Sequence, residues 1–326
     1  MGWSDAYEVV PNKDVVFQAL NTPSGALSQV IVDRLDAYQS AAPPSIPPSM
    51  WERLTIIADP NAPGAVPAQV LLAAQLARLF HLNPEWVQSH LLPLLNWQHS
   101  PRAPALWQGY LWQFSMPPDL WPLLKADFLE AVRREGTSSD RGVAASWLAA
   151  ICIHYPEWIS APEVAEALSA AAEVGRAAAS HVVWRIMSGA NEKADTLWRE
   201  RVEPFLRESW PRQQALRAPS TSLNLALAAI YTRDEFPRAV NTLQDILVPT
   251  PDLGLVTYEL KKGHPTLPDE HPVELLRLLA SLLDTTCQWA DSSLRETLQR
   301  IVRACPECTA RTEYRKIDEY ALIRGM

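Results

Sequence analysis

The sequence predicts an all-α fold, a right-handed α-solenoid of HEAT/armadillo-like helical hairpins. Three observations lead to this prediction. Apolar residues recur at helical spacing along most of the 326-residue chain. Proline is frequent, at 28 residues, and glycine is scarce, at 11, which suits many helices that begin at proline and few strands that turn at glycine. Proline-containing corners also recur at near-regular intervals, as they do in helical repeats.

The clearest hairpin is predicted over residues 71–97. It comprises one apolar helix, a tight Asn-Pro-Glu corner and a second apolar helix packed back on the first. The side-chain oxygen of Asn83 can cap the second helix. Pro84 then takes the first helical position, where its missing N–H has no partner to lose.

Related corners contain Pro84, Pro156, Pro237 and Pro306, at separations of 72, 81 and 69 residues. One two-helix repeat spans roughly 34 to 47 residues, so each interval is long enough for two of them. The spacing therefore predicts four helices in each interval.

The N-terminal part is predicted to differ from this array. A helix is expected over residues 24–38, and four prolines between Pro43 and Pro48 predict a stiff, polyproline-like connector. Ser49 and Glu52 form a capping-box pattern that opens the next helix. We divide the chain into N-terminal helices with a Pro-rich connector, residues 1–48, and a single elongated repeat array, residues 49–326. Residues 1–23 fit the tail of a linker from an upstream region.

The later helices follow from apolar spacing and from caps, including a second capping box at Ser160 and Glu163. They are predicted at residues 104–114, 119–134, 142–154, 160–174, 176–187, 192–209, 219–231, 236–247, 252–262, 273–284, 294–304 and 314–323.

Composition narrows the classes of function. The formal net charge of −8 repels polyanions, so we expect no nucleic-acid partner. No apolar run approaches the ~20 residues of a membrane span, and the N-terminus lacks the pattern of a signal peptide. We therefore expect a soluble, cytoplasmic protein without a membrane partner. Four unevenly spread cysteines do not resemble a disulfide framework and fit a reducing compartment.

Cys305 and Cys308 form the sharpest chemical candidate, because a Cys-x-x-Cys pair can be half of a zinc site. Such a site needs two more ligands, and only Cys287, His264 or His271 are available for recruitment. The alternative, which we favour, is a helix corner with two small semi-buried thiols. We predict no metal site and no cofactor.

Histidines are scattered along the chain. His99 and Ser100 are the residue types of a base and a nucleophile, but adjacency in sequence is not triad geometry. No Gly-x-Ser-x-Gly, His-Glu-x-x-His, Walker or Gly-x-Gly-x-x-Gly motif accompanies them. We predict no catalytic residue and a protein that is not an enzyme. A helical hydrolase that uses His99 or His154 with nearby acids is the alternative.

Thirteen tryptophans either fill the wedges between hairpins or form a recognition surface. For most of the tryptophans we favour the interpretation that they fill the wedges between hairpins. Trp107 and Trp112 are the better candidates for the surface, because their five-residue separation keeps both from sharing one narrow helical stripe.

A locally basic segment contains five arginines with three glutamates interleaved. This pattern predicts a solvent-exposed face with many ion pairs rather than a track for phosphates. Nucleic-acid binding along a concave face of the solenoid remains a further alternative. The arginines are Arg199, Arg201, Arg207, Arg212 and Arg217, and the glutamates are Glu200, Glu203 and Glu208.

Four phrases together resemble the C-terminal helical domain of defence-associated sirtuin-like proteins, which are bacterial anti-phage factors. The phrases are ALNTPSGALSQVIVDRL (19–35), LFHLNPEWVQSHLLPLLNWQHSPRAPALWQGYLW (79–112), LWRERVEPFLRESWP (197–211) and DEFPRAVNTLQDIL (234–247). The resemblance implies a sensor, regulatory or scaffold module that binds a protein, either a phage component or a sirtuin-type effector domain. No glycine-rich nucleotide loop is present, so NAD degradation does not carry over to residues 1–326.

Overall fold

The computed structural model describes residues 14–39, 46–134, 142–285 and 292–323. Its described residues are helical, and their only strand-like feature is an isolated parallel bridge between Thr250 and Leu283. The predicted all-α class is therefore confirmed. The chain forms two compact units, Met1–Asp140 and Arg141–Met326. Part of the predicted connector at Pro43, together with Cys287 and Trp289, lies outside the described residues.

Unit 1 contains nine described α-helices. They are α1 (Val15–Leu20), α2 (Pro23–Gln39), α3 (Pro48–Ala58), α4 (Val66–Ala74), α5 (Leu76–Leu82), α6 (Pro84–His90), α7 (Leu92–Leu95), α8 (Ala103–Trp112) and α9 (Trp121–Arg134).

The core of unit 1 is built around Trp107 on α8. The Trp107 ring stacks on Trp97 at a centroid distance of 6.2 Å and lies 6.1 Å from the Phe128 ring. Its indole N–H donates a 2.8 Å hydrogen bond to the carbonyl of Leu95, so the buried polar atom is satisfied. Large aromatic side chains thus join α7, α8 and α9.

Unit 2 contains twelve described α-helices. They are α10 (Val143–His154), α11 (Ala161–Ala170), α12 (Glu173–Gly189), α13 (Ala194–Leu197), α14 (Glu203–Glu208), α15 (Pro219–Ile230), α16 (Phe236–Leu243), α17 (Leu253–Gly263), α18 (Leu267–Glu270), α19 (Pro272–Leu282), α20 (Ser292–Ala304) and α21 (Thr312–Ile323). A π-helical stretch, Trp198–Val202, joins α13 to α14.

Helices of unit 2 pack in succession. Helix α10 packs on α12, α12 on α15, and α15 on α17. Alanines are buried on these helices, among them Ala145, Ala179 and Ala229. Small side chains allow helix axes to approach closely, so alanine is well suited to these contacts.

Two of the three predicted N-terminal caps are confirmed. The backbone N–H of Trp86 donates to Asn83 Oδ1 at 3.0 Å, with Pro84 in the first turn of α6. Glu163 Oε2 accepts from the backbone N–H of Ser160 at 3.0 Å, as in a capping box.

The capping box predicted for Ser49 and Glu52 is wrong. Helix α3 begins at Pro48, two residues before the start that a Ser49 cap would give, and no side chain caps it. A proline at the first helical position already has the φ angle that a helix needs, so the proline pair starts the helix and leaves Ser49 inside its first turn.

Two predicted helical spans are interrupted. Within residues 71–97 the helices break at Gln75 and again at Leu91, two residues before Pro93. The span 192–209 holds the π-helical stretch immediately before Pro204. Proline lacks an N–H and its ring crowds the preceding turn, which accounts for the interruptions before Pro93 and Pro204. No proline follows the break at Gln75 closely, and that break has no such explanation.

The proline corners have different local structures. Pro84 begins α6, whereas Pro156 and Pro306 begin short 3-10 helices, Pro156–Trp158 and Pro306–Ala310. Pro237 lies in the first turn of α16. None of the helices in the described ranges combines the length and the apolar character that a membrane crossing requires.

Candidate functional site

An open apolar groove on α3 is the candidate binding site of unit 1. Its volume is about 540 Å³, and its lining includes Trp51, Thr55 and Ile56 of α3 and Asn83 before α6. The Asn83 cap fixes the first turn of α6 and so places Trp86 beside α3, with a centroid distance of 5.4 Å to Trp51. The groove therefore depends on the same cap that the sequence predicts.

A hydrogen bond and ring contacts hold the Trp86 indole beside the groove. The Trp86 indole N–H donates to Thr55 Oγ1 at 2.9 Å, and the Thr55 hydroxyl donates to the carbonyl of Trp51 at 2.9 Å. Trp86 also stacks on His90, with an interplanar angle of 11° and a centroid distance of 5.2 Å. A rigid aromatic framework of this kind loses little conformational entropy when a partner binds.

Ile56 is the most exposed large hydrophobic residue of the groove, at 70%. Glu52 lies at the same surface and is also exposed. An exposed aliphatic side chain beside tryptophan is suited to contact with an apolar side chain of another molecule. The sequence signal for this site was weak: Ile56 lies about 200° around the helix from the buried Leu54, outside the apolar stripe.

The Cys305–Cys308 pair is disulfide-bonded rather than two free thiols. The two Cα atoms are 5.5 Å apart, and both residues are buried at the corner between α20 and α21. The expectation of two thiols is therefore corrected: the 3-10 turn that begins at Pro306 folds the two cysteines back onto each other.

Among the described residues, His264 and His271 do not join this corner in a metal-ligand group. His264 lies 3.7 Å from Glu270, and His271 packs against Phe236 at a centroid distance of 6.0 Å. Within the described ranges no group of three histidine, cysteine or acidic side chains is arranged to hold a metal ion.

The two histidines considered for catalysis are at exposed corners. His99 Nδ1 lies 2.7 Å from Asn96 Oδ1, and the His154 ring packs against Tyr155. Neither ring pairs with a carboxylate in the part of the chain that the structure describes. A base of the Ser-His type needs such an orienting partner together with a nucleophile, and neither site has both.

The tryptophans differ in exposure. Trp112 is 54% exposed, as predicted, but the surface position predicted for Trp107 is wrong, because this residue is only 2% exposed. Both lie on α8, and the core of unit 1 packs around its inner face with Trp107, Trp97 and Phe128. Sequence separation placed the two tryptophans on different faces without indicating which face is inside.

The basic segment carries ion pairs as predicted, but one partner is unexpectedly buried. Arg207 Nε lies 3.0 Å from Glu203 Oε1, and Arg238 Nε lies 2.6 Å from Glu203 Oε2. The Glu203 side chain is 2% exposed, whereas both arginines are about half exposed. Arg199 pairs with Glu235 at 3.5 Å. These arginines are engaged in intramolecular pairs rather than aligned for phosphates.

Comparison with protein-family models, with curated proteins and with solved structures finds no match to this chain.

Proposed function

We propose that this chain is a non-enzymatic, protein-binding helical-repeat module of a bacterial anti-phage defence protein. In this proposal it acts in the cytoplasm as the sensor, regulatory or scaffold region, and the NAD-degrading sirtuin domain lies outside residues 1–326. The partner is a protein, either a phage component or the sirtuin-type effector domain. The α3 groove is the observation that carries the binding role, and the four phrases resembling sirtuin-associated proteins support the defence role.

The groove supports protein binding because its framework is rigid and its surface is apolar. Tryptophan is enriched among the residues that dominate binding energy in interfaces. The Trp86 indole is held by its hydrogen bond to Thr55 and packs against the Trp51 ring, which lines the groove, so a partner does not have to order this ring pair. Ile56, at 70% exposure, adds apolar area that a partner would cover.

The negative charge at the groove indicates which residues the surface of the partner should carry. Glu52 borders the groove, and the chain carries a net charge of −8. We therefore expect a folded protein that presents an apolar side chain beside a lysine or arginine. Electrostatic attraction of this kind raises association rates at low salt, so association should slow as ionic strength rises.

We also propose that the helix pairs stack as HEAT/armadillo-like hairpins of a right-handed α-solenoid. The successive packing of α10, α12, α15 and α17 supports this arrangement in unit 2. Among the described residues, each interval between proline corners holds four helices longer than one turn when α13, the π-helical stretch and α14 are taken as one. An experimental structure in which successive helix pairs do not rotate in one constant sense would overturn the proposed solenoid.

The test uses the natural full-length protein in a bacterial host challenged with phage. Ile56→Lys places a charge in the groove at an exposed position and should reduce protection while leaving the folded state intact. Leu123→Lys is the matched control, because Leu123 is 44% exposed in unit 1 and does not line the groove. Cross-linking from infected cells should capture a phage protein or the effector domain with wild type and Leu123→Lys, and lose it with Ile56→Lys.

Two results would contradict the proposal. Unchanged protection after deletion of this whole region would exclude the sensor, regulatory or scaffold role. Full protection and full cross-linking by Ile56→Lys would exclude the groove as the contact surface.

A further inference from the structure

A second cavity, in unit 2, brings together the only described non-glycine residues with positive φ angles. Asn191 has φ 50° and Arg233 has φ 47°. Both line one cavity of about 280 Å³, together with Ser188, Tyr231 and Lys262. The cavity is independent of the α3 groove and of the function proposed for it.

The positive φ angles arise where two long helices end in the same way. Asn191 and Arg233 each begin a 3-10 turn shortly after the last residue of α12 and of α15. A left-handed residue after a helix is a common cap, but glycine, or sometimes asparagine, normally provides it. Arginine adopts this conformation at a steric cost that glycine would avoid, and at 233 it places an exposed guanidinium at the cavity.

The Arg233 guanidinium is not used inside the protein. It forms no ion pair or hydrogen bond with any residue of the described ranges. By contrast, Lys262 Nζ lies 3.5 Å from Glu259 Oε1, so these two charges largely balance each other. Arg233 is therefore the uncompensated positive charge of the cavity.

The lining of the cavity also contains hydroxyl groups that can accept hydrogen bonds. The Tyr231 hydroxyl donates to the buried Glu259, which leaves the lone pairs of the Tyr231 oxygen free to accept. Burial, and then the hydrogen bond to Glu259, raise the pKa of Tyr231, so the hydroxyl keeps its proton. The Ser188 hydroxyl donates to the carbonyl of Arg185 at 3.1 Å, and its oxygen is likewise left as an acceptor.

Helix ends add partial negative charge at the same place. Ser188 lies near the end of α12, Tyr231 caps the end of α15, and Lys262 lies near the end of α17. The C-terminal end of a helix carries a partial negative charge and favours a cation. One cavity thus combines a free guanidinium with a surface that favours a positive group.

We propose that this cavity binds a small zwitterion, an α-amino acid, with its carboxylate on Arg233 and its ammonium group among the helix ends. The guanidinium fork matches the two oxygens of a carboxylate. The ammonium group donates to the oxygens of Tyr231 and Ser188. The volume of about 280 Å³ is just below the range typical of drug-sized ligands, about 300–1,000 Å³, which fits a ligand of amino-acid size rather than a large cofactor.

Gly263 leaves room for the Tyr231 ring beside the cavity. A Cβ atom at Gly263 would lie 2.7 Å from Cε1 of Tyr231, so the tyrosine ring is packed directly against the backbone at the end of α17. This contact and the Glu259 hydrogen bond hold the Tyr231 oxygen in place before a ligand arrives.

The experiment is calorimetric titration of the full chain with a panel of the twenty L-α-amino acids. Each amino acid that binds is then compared with its deamino carboxylic acid and its decarboxylated amine. Wild-type protein should bind at least one amino acid and bind each single-charge analogue at least about tenfold more weakly, as expected for the loss of a charged hydrogen bond.

Arg233→Gly separates binding from folding, because glycine adopts the positive φ angle without strain. This variant should melt at a higher temperature than wild type and bind the amino acid about 10- to 100-fold more weakly. Arg201→Gln is the control for loss of charge, because Arg201 is exposed and does not line the cavity. It should bind like wild type.

Three results would overturn the proposal: no binding of any amino acid at millimolar concentration, equal binding of a single-charge analogue, or unchanged affinity in Arg233→Gly. Each of these leaves the Ile56→Lys test of the α3 groove unaffected, because that test concerns a different unit of the chain.

Discussion

The Trp86 indole N–H donates a 2.9 Å hydrogen bond to Thr55 Oγ1 and so ties α6 to α3. The same hydroxyl donates to the carbonyl of Trp51, one turn earlier on α3. One threonine therefore bonds to the side chain of Trp86 and to the backbone of Trp51. The contact joins positions 31 residues apart and depends on the Asn83 cap that orients the start of α6.

Replacing Thr55 with valine should destabilise the protein by about 1–3 kcal/mol. Valine has nearly the shape of threonine but no oxygen, so the buried indole N–H of Trp86 would lose its acceptor. A buried donor without an acceptor destabilises the folded state, because in the unfolded state it bonds to water. Urea unfolding followed by tryptophan fluorescence measures the change.

Thr55→Ser is the control for this prediction, because serine keeps the hydroxyl. This variant should keep most of the stability that Thr55→Val loses. Equal stability of Thr55→Val and wild type would mean that the indole hydrogen bond does not hold α6 against α3.

Local chemistry made several elements predictable from the sequence. The caps at Asn83 and at Ser160 with Glu163 form because donor and acceptor lie within three residues of each other. The predicted helices at 104–114, 142–154 and 219–231 are confirmed to within two residues at their ends. Such features require no knowledge of how helices pack.

Long-range packing decided the features that the sequence did not reveal. Trp107 and Trp112 lie on one helix, and only the position of Trp97 and Phe128 determines that Trp107 is inside. The cavity with Arg233 is formed at the ends of α12, α15 and α17, which are far apart in sequence. Neither arrangement has a periodic signal along the chain.

Glu203 should be the only one of the three glutamates in the basic segment with a large effect on stability. Its side chain is 2% exposed and accepts from Thr242 Oγ1 at 3.1 Å in addition to its arginine contacts. Glu203→Gln removes charge-assisted bonds and should cost about 1.5–3 kcal/mol. Its arginine partners are half exposed and can be solvated again, which limits the cost.

Glu200→Gln and Glu208→Gln are the matched controls, because both residues are exposed in the same segment. Each should change the free energy of unfolding by less than about 0.5 kcal/mol. Chemical denaturation of the three variants compares them directly, and similar effects for all three would contradict the importance of burial at Glu203.

Cys152 should not react with iodoacetamide in the native protein at pH 8. Burial on α10 raises the pKa of its thiol to about 12, so only about one molecule in 10⁴ carries the reactive thiolate at that pH. Peptide mass spectrometry should find Cys152 unlabelled in buffer and fully labelled in guanidinium chloride. Labelling in buffer at the rate of the unfolded chain would show that α10 opens readily.

Gly109 and Gly189 should respond in opposite directions to replacement by alanine, although both lie in helices. At Gly109, α8 approaches α4 so closely that a methyl group would overlap the Val70 carbonyl oxygen and lie 3.0 Å from Val70 Cγ1. Overpacking costs about 1–3 kcal/mol, and alanine recovers at most about 1 kcal/mol of helix propensity. Gly109→Ala should therefore destabilise the protein, because the obstacle is backbone and cannot move aside as a flexible side chain can.

At Gly189, the last residue of α12, nothing lies within 4 Å of the new methyl group, so Gly189→Ala should gain up to about 1 kcal/mol. Thermal and urea unfolding of both variants give the signs. A stabilising Gly109→Ala would mean that α4 and α8 separate at little cost, and that their contact contributes little to the stability of unit 1.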